Sequence, residues 1–262
     1  MVASSNFFPS LKTQSRVIYA LLMREVLTRF GRHNIGFMWM FAEPMMFTLG
    51  VAALWTFSGA GHNGMPIIPF AITGYSSVLL WRNMPGRCLS AVGPNLALMY
   101  HRNVKIIDVY ASRLLLEFLG VTMSFVILCT IFIGLGIMPF PEDVLKIIIG
   151  WFLLAWFGSA LAITIGALSE LSEIVEKIWS PTTYLLFPLS GAAFLVEWLP
   201  NEARKIILYL PMVHGVEILR EGYFGSAIHA HYDIAYMSVV CLCLTLFGLL
   251  LTQEVGRRVA PE

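Results

Sequence analysis

Arg24-Glu25-Val26-Leu27-Thr28-Arg29-Phe30-Gly31-Arg32-His33-Asn34-Ile35-Gly36-Phe37-Met38-Trp39-Met40-Phe41-Ala42-Glu43-Pro44 is the stretch on which the fold turns. It passes from a cationic helix, through two glycines that let the backbone turn, into an apolar run carrying a carboxylate followed by proline. A soluble domain has little use for a glutamate and a proline near the start of an apolar helix. Membrane transport proteins use such breaks to shape an internal path. The stretch therefore reads as the entry of the chain into a membrane.

Composition agrees. Of 262 residues, 58% are hydrophobic and 13% charged, and the mean hydropathy is +0.75. That leaves too little polar surface for a soluble globule and points to a polytopic, all-α integral membrane protein. A net charge of +1 with no long basic tract argues against nucleic acid as a partner. Cys88, Cys129, Cys241 and Cys243 fall in or beside apolar runs, where thiols behave as small hydrophobes. No cleavable signal peptide is evident, so the first spanning helix is expected to act as the targeting signal.

Ser10 is placed to cap a helix reaching about Phe30 within an interface segment over 10–33, in which Ile18, Leu22, Val26 and Phe30 repeat every four residues. Its Lys and Arg suit an anionic inner-leaflet surface, so an amphipathic interface helix is expected, with a soluble linker helix as the alternative. Six apolar runs follow within 35–254, at about 35–57, 66–84, 111–138, 144–168, 179–198 and 234–254, each near the ~20 residues that cross the hydrocarbon. The whole of 1–262 then forms one membrane domain. With a cytoplasmic N-terminus, only Lys146, Arg204, Lys205 and Arg220 of the Lys and Arg residues fall outside, so both termini are expected inside. The tryptophans, Trp39, Trp55, Trp81, Trp151, Trp156, Trp179 and Trp198, lie mostly near span ends and read as interface anchors.

The loop from about Met84 to Arg113 carries Pro85-Gly86, Gly93-Pro94 and Arg102 and Lys105. It suits a small helix docking on a soluble partner, or an ordinary basic loop. Around 169–177, Glu170, Glu173 and Glu176 recur every three residues and should face solvent or a basic partner. Gly158, Ala162 and Gly166 let the fourth span approach a neighbour closely, within the chain or across a dimer. Pro181 and Pro188 break the fifth. Between the fifth and sixth spans, residues 199–225 are cut by Pro211 and carry His214, Glu217, Arg220 and Glu221, so two short re-entrant helices are expected, or a surface loop.

No Walker A loop, H-E-x-x-H, nucleophile elbow or C-x-x-C occurs, so any ATP and Mg must be bound by a partner. His214 and Glu217 offer a weak metal or acid/base pair, or a structural cluster with Arg220. Glu43 is an intramembrane carboxylate, for which Arg82 is the expected ion-pair partner.

The opening stretch resembles the signature of ABC-2 type polysaccharide exporter permeases, most closely the inner-membrane subunit of group 2 capsular polysaccharide exporters. The resemblance lies in Arg24-Glu25, Thr28 to Gly31, Gly36, Trp39 and Glu43-Pro44. It continues through Tyr100-His101-Arg102, Val104-Lys105, Ile107-Asp108, Arg113 and Leu116-Glu117, then Pro211, Val213-His214, Glu217 and Arg220-Glu221. Asn103 departs from it, since a proline is common there. The resemblance implies a homodimer that moves a lipid-linked acidic glycan from the cytoplasm across a bacterial inner membrane. O-antigen and teichoic-acid permeases share this architecture, and a membrane-embedded transferase is the alternative of another class. It further implies two copies of an ABC ATPase subunit docked near Gly93, Pro94, Asn95, Tyr100 and Arg102, and periplasmic adaptor and outer-membrane export proteins beyond. A cationic rim of Arg24, Arg29, Arg32, Arg82 and Arg87 would meet the phosphate and carboxylates of the cargo. Pro211, His214, Glu217 and Arg220 would form a periplasmic gate.

Overall fold

The computed structural model describes residues 7–31, 34–59, 64–99 and 104–259. Arg32, Tyr100 and Arg102 lie outside them. The described chain is helical, with ten α-helices in the order α1 (Phe7–Phe30), α2 (Asn34–Ser58), α3 (Ile67–Cys88), α4 (Leu96–Met99), α5 (Ile106–Gly134), α6 (Val144–Leu171), α7 (Glu173–Leu189), α8 (Asn201–Ile207), α9 (Pro211–Phe224) and α10 (Ile234–Val259).

Four described helices, α2, α5, α6 and α10, are long and apolar enough to cross a membrane. The other two expected spans differ from them for identifiable reasons. α3 is buried without interruption from Pro69 to Trp81 and includes Thr73, Ser76 and Ser77, polar side chains that an inner helix tolerates because protein surrounds it. Thr73 and Ser77 return their hydroxyl protons to carbonyls of the preceding turn. α7 has 17 residues, roughly 26 Å at 1.5 Å per residue, and ends one residue after Pro188. The expected span over 179–198 is therefore displaced. Residues 190–195 follow as irregular backbone, then a short 3₁₀ turn over Val196–Trp198.

Several boundaries shift in the same way. α3 continues past Pro85 to Cys88, and α5 begins at Ile106, so the expected long loop shrinks from both ends. Asp108 sets the new start of α5 by accepting from the Lys105 amide at 2.8 Å and from the Gln14 side chain on α1. Gly31 ends α1 at φ +79°, with its amide bonded to the Leu27 carbonyl, as expected of a helix-terminating glycine. Gly36, the second expected turn residue, lies inside α2.

α6 is the axis of the bundle and packs against α3, α9 and α10. Its small-residue stripe works within the chain. A Cβ on Gly158 would come 2.7 Å from the Trp81 Cα, and one on Gly166 would come 2.8 Å from the Cys88 Cβ, so α3 and α6 meet almost backbone to backbone. Two expected anchors belong to this core rather than to a surface belt, Trp81 fully buried and Trp151 nearly so, while Trp179 is buried beside α3. α1 lays Val17, Leu21 and Arg29 toward the bundle, mainly against α5, and turns Leu11, Tyr19, Met23 and Leu27 outward at four-residue spacing.

Candidate functional site

At the α1 end of the bundle, charge is organised around a residue singled out only through the resemblance. Glu117, buried on α5, accepts from Arg87 Nε at 2.9 Å, Arg29 Nη1 at 3.2 Å and Asn83 Nδ2 at 3.0 Å. Three helices, α1, α3 and α5, are joined through one carboxylate. Arg113 extends the network, pairing with Glu25 at 3.2 Å and donating to the Arg87 carbonyl at 2.8 Å. A carboxylate within the apolar run of α5 was the available signal for Glu117, by the same reasoning that singled out Glu43.

The four rim arginines among the described residues, Arg24, Arg29, Arg82 and Arg87, therefore stand in different situations. Arg29 and Arg87 share the single negative charge of Glu117. Arg24 donates to Asn95 Oδ1 at 2.6 Å, which ties α1 to the loop after α3. Arg82 makes no ion pair among the described residues. Its guanidinium lies 5.3 Å from the ring centroids of both Tyr184 and Phe187 on α7, and its Nε is buried without a hydrogen-bond partner. The expected Glu43–Arg82 pair is not formed, because those α7 rings hold the Arg82 head while Glu43 is exposed on α2.

Arg82 lines a cavity of about 280 Å³ between the end of α3 and the start of α7, with Asn83, Arg87, Trp179, Ser180 and Thr183 in its wall. A guanidinium with no ion pair among the described residues, hydroxyls and an indole in one concavity can bind an anionic or sugar-bearing group, with Arg supplying charge-assisted hydrogen bonds. Beyond the cavity, Gly93 and Pro94 are exposed, while Asn95 is buried and donates to the Ala91 carbonyl at 2.8 Å.

The opposite end is built on α9. Arg220 is fully buried and donates to the carbonyls of Gly191, Ala192 and Phe194, with its guanidinium carbon 3.8 Å from the Phe70 ring centroid. Gly74 on α3 makes room for it, since a Cβ there would stand 2.4 Å from Arg220 Nη2. Glu217 accepts the amides of Val196 at 3.2 Å and His231 at 3.0 Å. His214 Nδ1 accepts the Asp233 amide at 2.9 Å, which leaves Nε2–H to donate to the Leu208 carbonyl at 2.8 Å. Burial holds its pKa below the usual histidine value. Pro211 opens α9 at a first-turn position, where its missing N–H costs nothing. All four expected gate residues are thus brought together, but their polar atoms hold backbone. The weak acid/base pair reduces to structural hydrogen bonds.

Residues 16–224 match the ABC-2 type transporter family. Over 259 residues, covering 98% of both chains, the sequence is 38% identical to the capsule polysaccharide export inner-membrane protein BexB of Haemophilus influenzae. It has the same identity and coverage with the capsule polysaccharide export inner-membrane protein CtrC of Neisseria meningitidis serogroup B. It is 25% identical to the polysialic acid transport protein KpsM of Escherichia coli, over 92% of this chain and 93% of that one. A match that runs from α1 to the end of α9 takes in both the Glu117 network and the Arg220 cage, and on that extent the chain belongs to the ABC-2 type transporter membrane family.

Proposed function

We propose that this chain is the membrane permease subunit of an ATP-driven exporter that carries a lipid-linked acidic capsular polysaccharide from the cytoplasm across the bacterial inner membrane. The observation that carries this reading is the end-to-end similarity to two inner-membrane capsule export proteins. The cavity supports it on independent grounds: Arg82, which has no ion pair among the described residues, lines it together with Trp179, a suitable pairing for an acidic group next to a sugar ring. The arginine rim narrows accordingly, with Arg82 as its leading member and Arg29 and Arg87 serving first to hold Glu117.

Energy comes from a separate ATPase subunit in two copies, docked on the Gly93-Pro94-Asn95 loop of a homodimer with both termini cytoplasmic. The α8–α9 pair is a re-entrant cap on the periplasmic side, from which adaptor and outer-membrane export proteins take the polymer onward. The transferase alternative has lost its best candidates, because His214 and Glu217 are committed to backbone partners.

Fractionating lipid-linked glycan in a producing strain that lacks this chain tests the function. Full-length polymer retained inside with a bare surface is expected. Absence of polymer from every fraction would indicate synthesis instead, and a normal coat would mean that the cargo is another glycan. In the complemented strain, Arg82→Ala is expected to reduce surface polymer by about ten-fold, the value of one lost charge-assisted contact.

A further inference from the structure

Of the acidic residues at the α6–α7 junction, Glu173 and Glu176 are exposed as expected, while Glu170 is half-buried, and Glu170 and Glu176 both have partners within the fold. Glu170 accepts the Val92 amide at 2.8 Å, Ser169 Oγ accepts the Ser90 amide at 3.2 Å, and Ser90 Oγ donates to Glu176 at 2.9 Å. The loop that follows α3 is thereby gripped by the last turn of α6 and the first turn of α7. Ser90 sits at φ +45°, a left-handed conformation that a non-glycine residue keeps only where its surroundings hold it. Glu170 lies in the last turn of α6, where a carboxylate opposes the helix dipole, so the position is electrostatically unfavourable unless the Val92 amide compensates it.

The grip joins both walls of the cavity. Leu89, in the α3 wall, is adjacent in sequence to Ser90. Glu176 lies four residues before Ser180 and seven before Thr183, so all three share one face of α7. Ser172 breaks the chain between α6 and α7 with extended backbone, and α7 packs mainly on α6 and α3, with Phe187 against Phe47 of α2, so it is more lightly held than α3, α5 or α6. We infer that Glu170 and Glu176 are positioning residues that transmit displacement of the 89–95 loop to α7 and so open and close the Arg82 cavity. This rests on the reading of that loop as the ATPase contact.

The test uses the complete exporter, with its ATPase, reconstituted in lipid. Glu170→Ala and Glu176→Ala, both outside the 89–95 loop, are compared with the parent for subunit co-purification, basal ATP hydrolysis and polymer moved per ATP. Expected are normal assembly and basal hydrolysis, with polymer per ATP reduced about ten-fold, the scale of a typical coupling between sites. Glu170→Gln, which keeps a carbonyl acceptor for the Val92 amide, should recover part of it. Unchanged polymer per ATP in both variants overturns the inference. So does loss of assembly in both, which would make these residues docking or folding groups. If instead the parent complex moves no polymer at all, the function proposed above fails and not this coupling.

Discussion

The two ends of the bundle use the same residue types in opposite ways. Around Glu117, two arginines from different helices share one carboxylate, and each retains some solvent, with 21% of Arg29 and 34% of Arg87 exposed. Around Arg220 the cation is wholly enclosed and addresses carbonyl oxygens of one irregular segment. Charge attracting charge falls off gently with distance, so the Glu117 network can lengthen and re-form as helices slide. A planar guanidinium fitted to three carbonyls cannot move without leaving several buried polar groups unpaired. One end is suited to motion, the other to holding a shape.

That contrast can be broken by substitution. Arg220→Ala strands three carbonyls at once and is expected to destabilise the fold by about 4 kcal/mol, seen as loss of a monodisperse species in detergent. Gly74→Ala forces a methyl against Arg220 and the Ala192 carbonyl and should cost about 3 kcal/mol by the same measurement. Glu117→Ala should cost only about 2 kcal/mol, because Arg29 and Arg87 can turn to water. The sharpest comparison pairs two conservative changes. Arg87→Lys keeps a point charge for Glu117 and should lose under about 1 kcal/mol, whereas Arg220→Lys cannot fill the fork and should behave much as Arg220→Ala. Equal effects of the two lysines would erase the distinction drawn here.

The smallest effect is a pH dependence. The folded state holds His214 neutral, with its pKa below the ordinary 6.5. The unfolded chain therefore takes up the proton first as pH falls, and stability is lost below about 6.5. Protonation also removes the acceptor that His214 Nδ1 offers to the Asp233 amide. Melting temperatures measured in detergent between pH 7.5 and 5.5 should decline for the parent and flatten for His214→Asn.

The sequence was most informative where the physics is local. Apolar runs located the long helices, Gly31 marked the end of α1, and the Gly158–Ala162–Gly166 spacing announced a close helix approach. Boundaries also slipped where a local cap was not read: α5 starts early at the Lys105–Asp108 cap, which Gln14 on α1 joins from across the fold. The arginines at the α1 end were each visible in the sequence, but their partners were not. Arg29 and Glu117 are 88 positions apart and Arg87 and Glu117 are 30 apart, and no spacing rule reaches that far. Glu43 drew attention as a lone carboxylate, yet which cation meets which anion depends on helix rotation, which composition does not encode. The same holds for Glu170 and Glu176, whose periodicity suggested solvent and whose contacts lie across the fold.

The arrangement of α9 also bears on how the chain is made. Gly74 and the inner face of α3 leave the ribosome long before Arg220, and the α6 start is tied to α9 by the Asp143 amide donating to the Gly222 carbonyl at 2.8 Å. Until residues 211–224 are synthesised and seated, α3 and α6 expose a groove of small and polar groups with nothing to fill it. Closure of the bundle around Gly74 and the α6 start therefore waits on residues 211–224, and a product truncated before α9 would leave both without the groups they are shaped to receive.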